Sequence, residues 1–199
     1  MSERELIFFD TETNGLTPRY SLLSICAIHV KAIPNPNRLD LVELGGFIRY
    51  YYPRERYSPD AIAVNGLTED VITAKRADAA WPRYAAEDYR AMQDFFGRTE
   101  HFVAHNVGFD IRFVPPLNPN GRAKTFCTMR EFTDFCALPH SHFGVKWPKL
   151  SEAAEIFGAR LPGDAFHDAE YDTRMTMEIF RRAYGVAELR PGIQRFLSG

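Results

Sequence analysis

"FFDTETNGL" (residues 8–16) is the stretch on which the fold of this chain turns. The apolar run Leu6-Ile7-Phe8-Phe9 leads into Asp10 and Glu12, which alternate with Thr11 and Thr13. Read as a buried strand, the segment puts residues two apart on one face, so the two carboxylates lie side by side. Like charges there repel, and partial burial adds several kcal/mol for each unpaired ion. A basic neighbour such as Arg19 could compensate. A divalent cation compensates better, because hard oxygen ligands suit Mg²⁺ and Mn²⁺. The competing reading is a solvated D-x-E at a strand end; roughly one is expected by chance in a chain of this length.

Working outward, three apolar segments open the chain, at residues 4–10, 21–31 and 41–52. Turn residues Asn14-Gly15 and Pro34-Asn35-Pro36-Asn37 separate them, so they read as an antiparallel meander. Thr68 caps a short helix running to about residue 74. A long helix is expected from Pro82 to Phe96, with apolar residues at helical spacing and Gly97 beyond its end. "HFVAHN" (101–106) reads as a buried strand, and "VGFDIRFV" (107–114) as a helix stopped by Pro115-Pro116. A strand at 124–127 and helices over 128–138, 150–157 and 168–184 follow, with Gly158 and Gly185 as stops. Residues 139–149 and 159–166 read as loops, and 186–199, with Pro191 and Gly192, as a loosely docked tail. Strands first, then helices alternating with short strands, predict a mixed sheet with helices on its faces.

The 199 residues suit a single domain, and 45% hydrophobic residues suffice for a substantial core. No apolar stretch approaches the roughly 20 residues of a membrane span, and the N-terminus lacks signal-peptide character, so a cytoplasmic protein is expected. Cys26, Cys127 and Cys136 show no metal-ligand spacing; Cys26 and Cys127 sit in apolar runs and read as buried thiols in a reducing compartment. A net charge of −2 gives no global basic field, so attraction for nucleic acid would need a local patch or bound cations.

Two further stretches bear on the acids. In "AHNVGFD" (104–110) a strand delivers His105 and Asn106, and Asp110 falls in the first turn of the next helix, where an acid also suits the helix dipole. In "FHDAEYDTRM" (166–175) Asp168 is placed to cap the last long helix, Asp172 lies one turn on, and His167 precedes both. Each has a bland reading, as a cap, a solvated acid and a loop histidine. The three together, in this order, are much rarer.

In these residues the chain resembles the DEDDh 3′→5′ exonucleases, the family of the bacterial DNA polymerase III proofreading subunit. "FFDTETNGL", "AHNVGFD" and "HDAEYD" resemble its three motifs; "AVNGLTEDVI", "KTFCTMREF" and "KLSEAAEIFG" resemble intervening segments, and the likeness covers about residues 4–184. The resemblance implies a ribonuclease-H-like α/β fold with a five-stranded mixed sheet flanked by helices. It implies that Asp10, Glu12, Asp110 and Asp172 hold two divalent cations, Mg²⁺ or Mn²⁺, with Asp10 as the bridging ligand. It makes His167 the general base, with Glu12 beside it in the catalytic set; an imidazole, with a reference pKa of about 6.5, can take a water's proton at neutral pH. Thr13, Leu16, Val64, Asn65 and His105 fall at substrate-contacting positions; for His105 a conformational role beside the strand is the alternative. Asn65 departs from the family's usual histidine. The implied activity is release of 5′ mononucleotides from nucleic-acid 3′ ends, single-stranded DNA preferred, with a polymerase or repair partner as a further expectation. An exoribonuclease of the same fold and a non-catalytic end-binding module are the alternatives. The short segment after the last long helix favours a free-standing enzyme or small accessory protein over a long-tailed polymerase subunit.

Two other features carry weaker expectations. Tyr50-Tyr51-Tyr52 and Tyr57 could stack on bases, but packing at the sheet end is favoured. "HSHFGVKWPK" (140–149), with His140, His142, Lys146, Trp147 and Lys149, could touch a phosphate backbone; a zinc site at His140 and His142 lacks further ligands. Arg174 is expected to pair with an acid.

Overall fold

The structure, a computed structural model, describes residues 2–117, 122–141, 144–163 and 165–199. Strands β1 (Arg4–Thr13), β2 (Leu22–Pro34) and β3 (Leu39–Tyr50) form the antiparallel meander. Strands β4 (His101–Ala104) and β5 (Lys124–Cys127) add in parallel on the other side of β1, giving the order β3-β2-β1-β4-β5. This is the expected five-stranded mixed sheet, and β1 lies at its centre. Each of the three long strands runs beyond its apolar core, so Asp10 and Glu12 sit within β1 rather than past its end.

Both faces of β1 are covered, as a central strand requires. The even row, Leu6 and Phe8, joins one apolar cluster and the odd row, Ile7 and Phe9, another. The helices, in chain order, are α1 (Pro59–Asn65), α2 (Glu69–Lys75), α3 (Tyr89–Phe96), α4 (Val107–Asp110), α5 (Thr128–Glu131), α6 (Thr133–Cys136), α7 (Leu150–Ile156), α8 (Ala169–Gly185) and α9 (Arg190–Ser198). Helix α8 lies on the even face, where Phe180 meets Phe8 edge-on at 5.4 Å between ring centres. Helix α3 lies on the odd face, where Phe96 meets Phe9 at 5.3 Å. Asp10 and Glu12 continue the even row, so the strand's own alternation aims them at α8.

Several local expectations are corrected. The helix predicted over 82–96 holds only from Tyr89; before it come an irregular turn and a 3-10 turn at Ala85–Glu87. Asp88 is drawn inward to accept the Tyr51 hydroxyl at 2.8 Å, and the Arg83 carbonyl accepts the Tyr52 N–H, so this backbone is tied to the end of β3. Helix 107–114 stops as α-helix at Asp110 and tightens into i→i+3 turns before the prolines. Residues 128–138 form two short helices broken at Phe132. Residues 59–65, unassigned from sequence, form α1, with Ser58 as its cap and Pro59 in its first turn.

The largest correction is at the C-terminus. Residues 190–198 are not a loose tail but α9, with Ile193 and Leu197 buried in the even-face cluster. Pro191 falls in the first turn, where a missing N–H costs nothing, so it starts the helix instead of excluding one. Arg190 latches the junction through the carbonyls of Tyr184, Gly185 and Pro36.

Cys26, Cys127 and Cys136 are free and buried. No helix among the described residues is long and apolar enough to cross a membrane. Tyr51 is fully buried and Tyr50 nearly so, which fits packing at the sheet end. Arg174 pairs with Glu170 and Glu43, as expected. In the 140–149 loop, Lys146 pairs with Glu152, and His142 lies outside the described residues.

Candidate active site

The acids converge where β1 and β4 part. These strands pair at Ile7–Phe102 and Phe8–Val103. Further along, the Thr11 N–H donates instead to Asp110 Oδ1 at 3.1 Å, and the Thr11 hydroxyl donates to the same oxygen at 2.7 Å. Asp110 returns to β1 because Asn106 adopts a left-handed backbone (φ 73°) and turns the chain sharply from β4 into α4. Asparagine tolerates that conformation better than most residues.

From the other side, Asp168 caps α8 by accepting the N–H groups of Glu170 and Tyr171. Asp172, one turn on, is thereby aimed at Asp10 and Glu12. Its Oδ2 accepts the His167 N–H at 3.1 Å, which ties down a histidine that is itself left-handed (φ 72°). One His167 ring nitrogen and one carboxylate oxygen each from Glu12 and Asp172 all lie within 4.8 Å of one another. Asp168 is held in turn by the Tyr50 hydroxyl and the Lys75 ammonium, each at 3.3 Å.

The four carboxylates and His167 line one cavity of about 870 Å³. Burial, followed by the charges of Asp110, Glu12 and Asp172, pushes Asp10 well above the usual carboxylate range. Burial, then Asp172 and Asp110, raises Glu12 to about 9. Burial raises Asp110 to about 7 despite its bonds from Thr11, and Asp172 to about 7 despite the His167 N–H. Without cations the cluster therefore retains protons near neutral pH.

This arrangement fits divalent cations. The donors are hard carboxylate oxygens beside one imidazole. Asp172 Oδ1 is buried and has no hydrogen-bond partner among the described residues, a cost that a cation ligand would remove.

The remaining predicted site residues line the same cavity. Leu16 and Val64 are 77% and 58% exposed, apolar groups left free at its mouth. The Asn65 amide donates to the Thr13 carbonyl at 3.1 Å and accepts the Leu67 N–H at 3.0 Å, so it fixes the loop over β1. The Thr13 hydroxyl donates to the Gly15 carbonyl at 2.8 Å. His105 has both ring nitrogens engaged within the protein, at Thr128 Oγ1 and the Pro148 carbonyl, each at 3.0 Å. Burial lowers its pKa to about 4, so it stands as a neutral wall of the cavity.

Sequence reasoning overlooked Thr11 as the clamp on Asp110, and Tyr50 and Lys75 as the support of Asp168. Thr11 carried a signal, a hydroxyl between two acids on a central strand. The partners of Asp168 are distant in sequence and had none. Trp147, noted only as part of a basic loop, is 58% exposed and lines the catalytic cavity.

Comparison with known proteins agrees with this geometry. The family model RNase_T, described as an exonuclease, matches residues 7–180. The "uncharacterized exonuclease CP81" of Escherichia phage 186 is 26% identical over 191 residues, covering 89% of this chain and 87% of that protein. A PolC-type DNA polymerase III of Staphylococcus haemolyticus (strain JCSC1435) is 25% identical over 182 residues; the match takes in 90% of this chain but only 11% of the polymerase. Among solved structures, exonuclease X in complex with 5′ overhanging duplex DNA superposes with a TM-score of 0.61 at 22% identity, covering 92% of this chain and 93% of that one. E. coli exonuclease I in complex with an oligonucleotide gives a TM-score of 0.62 at 15% identity, covering 97% of this chain and 42% of that one. These structural likenesses show a shared fold, the five-stranded mixed sheet flanked by helices.

Proposed function

The chain belongs to the RNase_T exonuclease family, of the DEDDh type, and from that premise we propose that it is a divalent-cation-dependent 3′→5′ exonuclease acting on single-stranded DNA and releasing 5′ mononucleotides. The observation that carries this reading is the convergence of Asp10, Glu12, Asp110, Asp172 and His167 in one cavity. Asp10, Glu12, Asp110 and Asp172 would hold two Mg²⁺ or Mn²⁺ ions, and Asp10 is close enough to feel the charge of the other three acids. Bound there, the cations would neutralise charge on the scissile phosphate and acidify the attacking water.

The chain's own groups then have distinct tasks. A His167 ring nitrogen, within reach of both Glu12 and Asp172, accepts the proton of the attacking water. The His167 N–H bond to Asp172 fixes the turn that presents the ring. Thr11 holds Asp110 against β1 and so keeps the acids at a set spacing. Leu16 and Val64, exposed at the mouth, pack against the terminal nucleoside, and Asn65 with Thr13 shapes the floor beneath it. A neutral His105 limits positive charge at that wall.

DNA as substrate is supported by the DNA complex of exonuclease X and by the polymerase relative, which also favours work beside a polymerase or in repair. Matched single strands of DNA and RNA, labelled at the 5′ end and digested in Mn²⁺, test the assignment. DNA shortened stepwise and faster than RNA is the expected result. Faster loss of RNA would make the protein an exoribonuclease, and two intact strands would leave a non-catalytic end-binding module.

A further inference from the structure

A phosphate backbone needs more positive charge than the catalytic cavity offers. In its described lining Asp60 joins the four clustered acids, against Lys149 alone among lysines and arginines, and the whole chain has a formal charge of −2. Cations held by the acids would serve the scissile phosphate alone, so affinity for the strand beyond it calls for a local basic surface.

Such a surface adjoins it. A second cavity, of about 310 Å³, shares Tyr20 with the first. Its described lining includes Arg54 and Arg112 and no carboxylate. Tyr20 and Tyr89, also in the lining, are 43% and 42% exposed, large rings left unburied beside arginines. At its edge the Arg83 guanidinium lies 4.0 Å over the ring of Tyr52, a lining residue, and within the lining Arg54 lies 4.7 Å over Tyr84. Glu87 reaches Arg54 at 3.0 Å, but both groups are about half exposed, so this pair is weak enough for a phosphate to compete with it. Tyr20 is held between the two cavities by the catalytic motif itself: a Cβ at Gly15 would fall 2.5 Å from its ring. Glycine at that position lets the ring approach the loop that follows Glu12 closely.

On the reading that the substrate is a polynucleotide, we propose that this second cavity is the seat for the strand beyond its terminal nucleotide, with bases stacking on Tyr20 and Tyr89 and phosphates lying along Arg54 and Arg83. Aromatic faces interleaved with arginines bind single strands with little regard for sequence. Tyr52 is excluded as a platform, because Arg83 and Arg76 occupy its ring.

Binding and chemistry can be read separately. Binding of 5′-fluorescein-dT12 is followed by anisotropy in Ca²⁺, and turnover of the p-nitrophenyl ester of thymidine 5′-monophosphate, which has no second nucleotide, in Mn²⁺. Tyr89→Ala should weaken dT12 binding by roughly 5- to 100-fold. Arg54→Gln/Arg83→Gln should flatten the salt dependence of log Kd by about 0.7 for each phosphate that the arginines no longer neutralise. Both variants should turn over the ester like the unsubstituted protein. Unchanged dT12 affinity and salt slope would overturn the assignment, as would an equal loss on the ester. A loss confined to a blunt duplex would also overturn it and give the surface to the complementary strand. If the unsubstituted protein leaves the ester intact, the exonuclease reading suffers, while the anisotropy still decides whether this surface binds a strand.

Discussion

At the residue scale, the site is a set of acids that are expensive to keep together without a counter-charge. Glu12 at about 9 and Asp110 and Asp172 at about 7 all stand above their ordinary values, 4.5 and 3.8. A carboxyl whose folded pKa is raised binds protons on folding, so its contribution is full below the unfolded pKa and is lost as pH rises through the folded one. The melting temperature of the EDTA-treated protein should therefore fall steadily from about pH 4 to about pH 9. Asp172→Asn, which can still accept the His167 N–H, should melt higher than the unsubstituted protein at pH 8 in EDTA; an equal or lower melting temperature would refute the charge burden. His167→Ala should slow turnover at neutral pH by roughly 10²–10⁴-fold while leaving Mn²⁺ affinity within a few fold. Full rate at neutral pH would remove His167 as base. The convergence of these five residues was legible in the sequence because each sits in a short motif whose spacing is local. Thr11 was not, since its role appears only when a helix 99 positions away brings Asp110 against the strand.

At the element scale, β1 and α8 position the chemistry. One strand alternation sends Leu6 and Phe8 into the core and Asp10 and Glu12 into the cavity along a single row. The cap at Asp168 then sets the phase of α8 so that Asp172 faces them. Periodicity carried this much. It failed where backbone bonding is decided by distant partners, as at Asp88, which answers the Tyr51 hydroxyl rather than continuing a helix. It failed again at 186–199, where Pro191 and Gly192 look like breakers but Ile193 and Leu197 fall four apart on a buried face. Because α9 belongs to the core, Leu197→Ala should cost about 2–5 kcal/mol in urea unfolding. A loose tail would lose less than about 0.5 kcal/mol.

At the scale of the whole molecule, the sheet order puts the carboxyl ends of β1 and β4 beside the start of α8, so three segments far apart in sequence build one pocket. Sheet class was within reach of the sequence because the meander and the later strand–helix alternation leave few topologies, whereas the order in which β4 and β5 join the sheet was not read from it. The second cavity was not within reach, because its tyrosines and arginines come from separate loops and the start of α3, with no shared motif. Activity on a DNA oligonucleotide should vanish in excess EDTA and return with Mg²⁺ or Mn²⁺, whereas Ca²⁺ should restore binding without comparable turnover. The most direct test is titration of Mn²⁺ into the protein with thymidine 5′-monophosphate present, followed by calorimetry. Two ions per chain should bind, and Asp10→Ala should lose both high-affinity sites while remaining folded. Undiminished binding by Asp10→Ala, or no binding by the unsubstituted protein, would contradict the account.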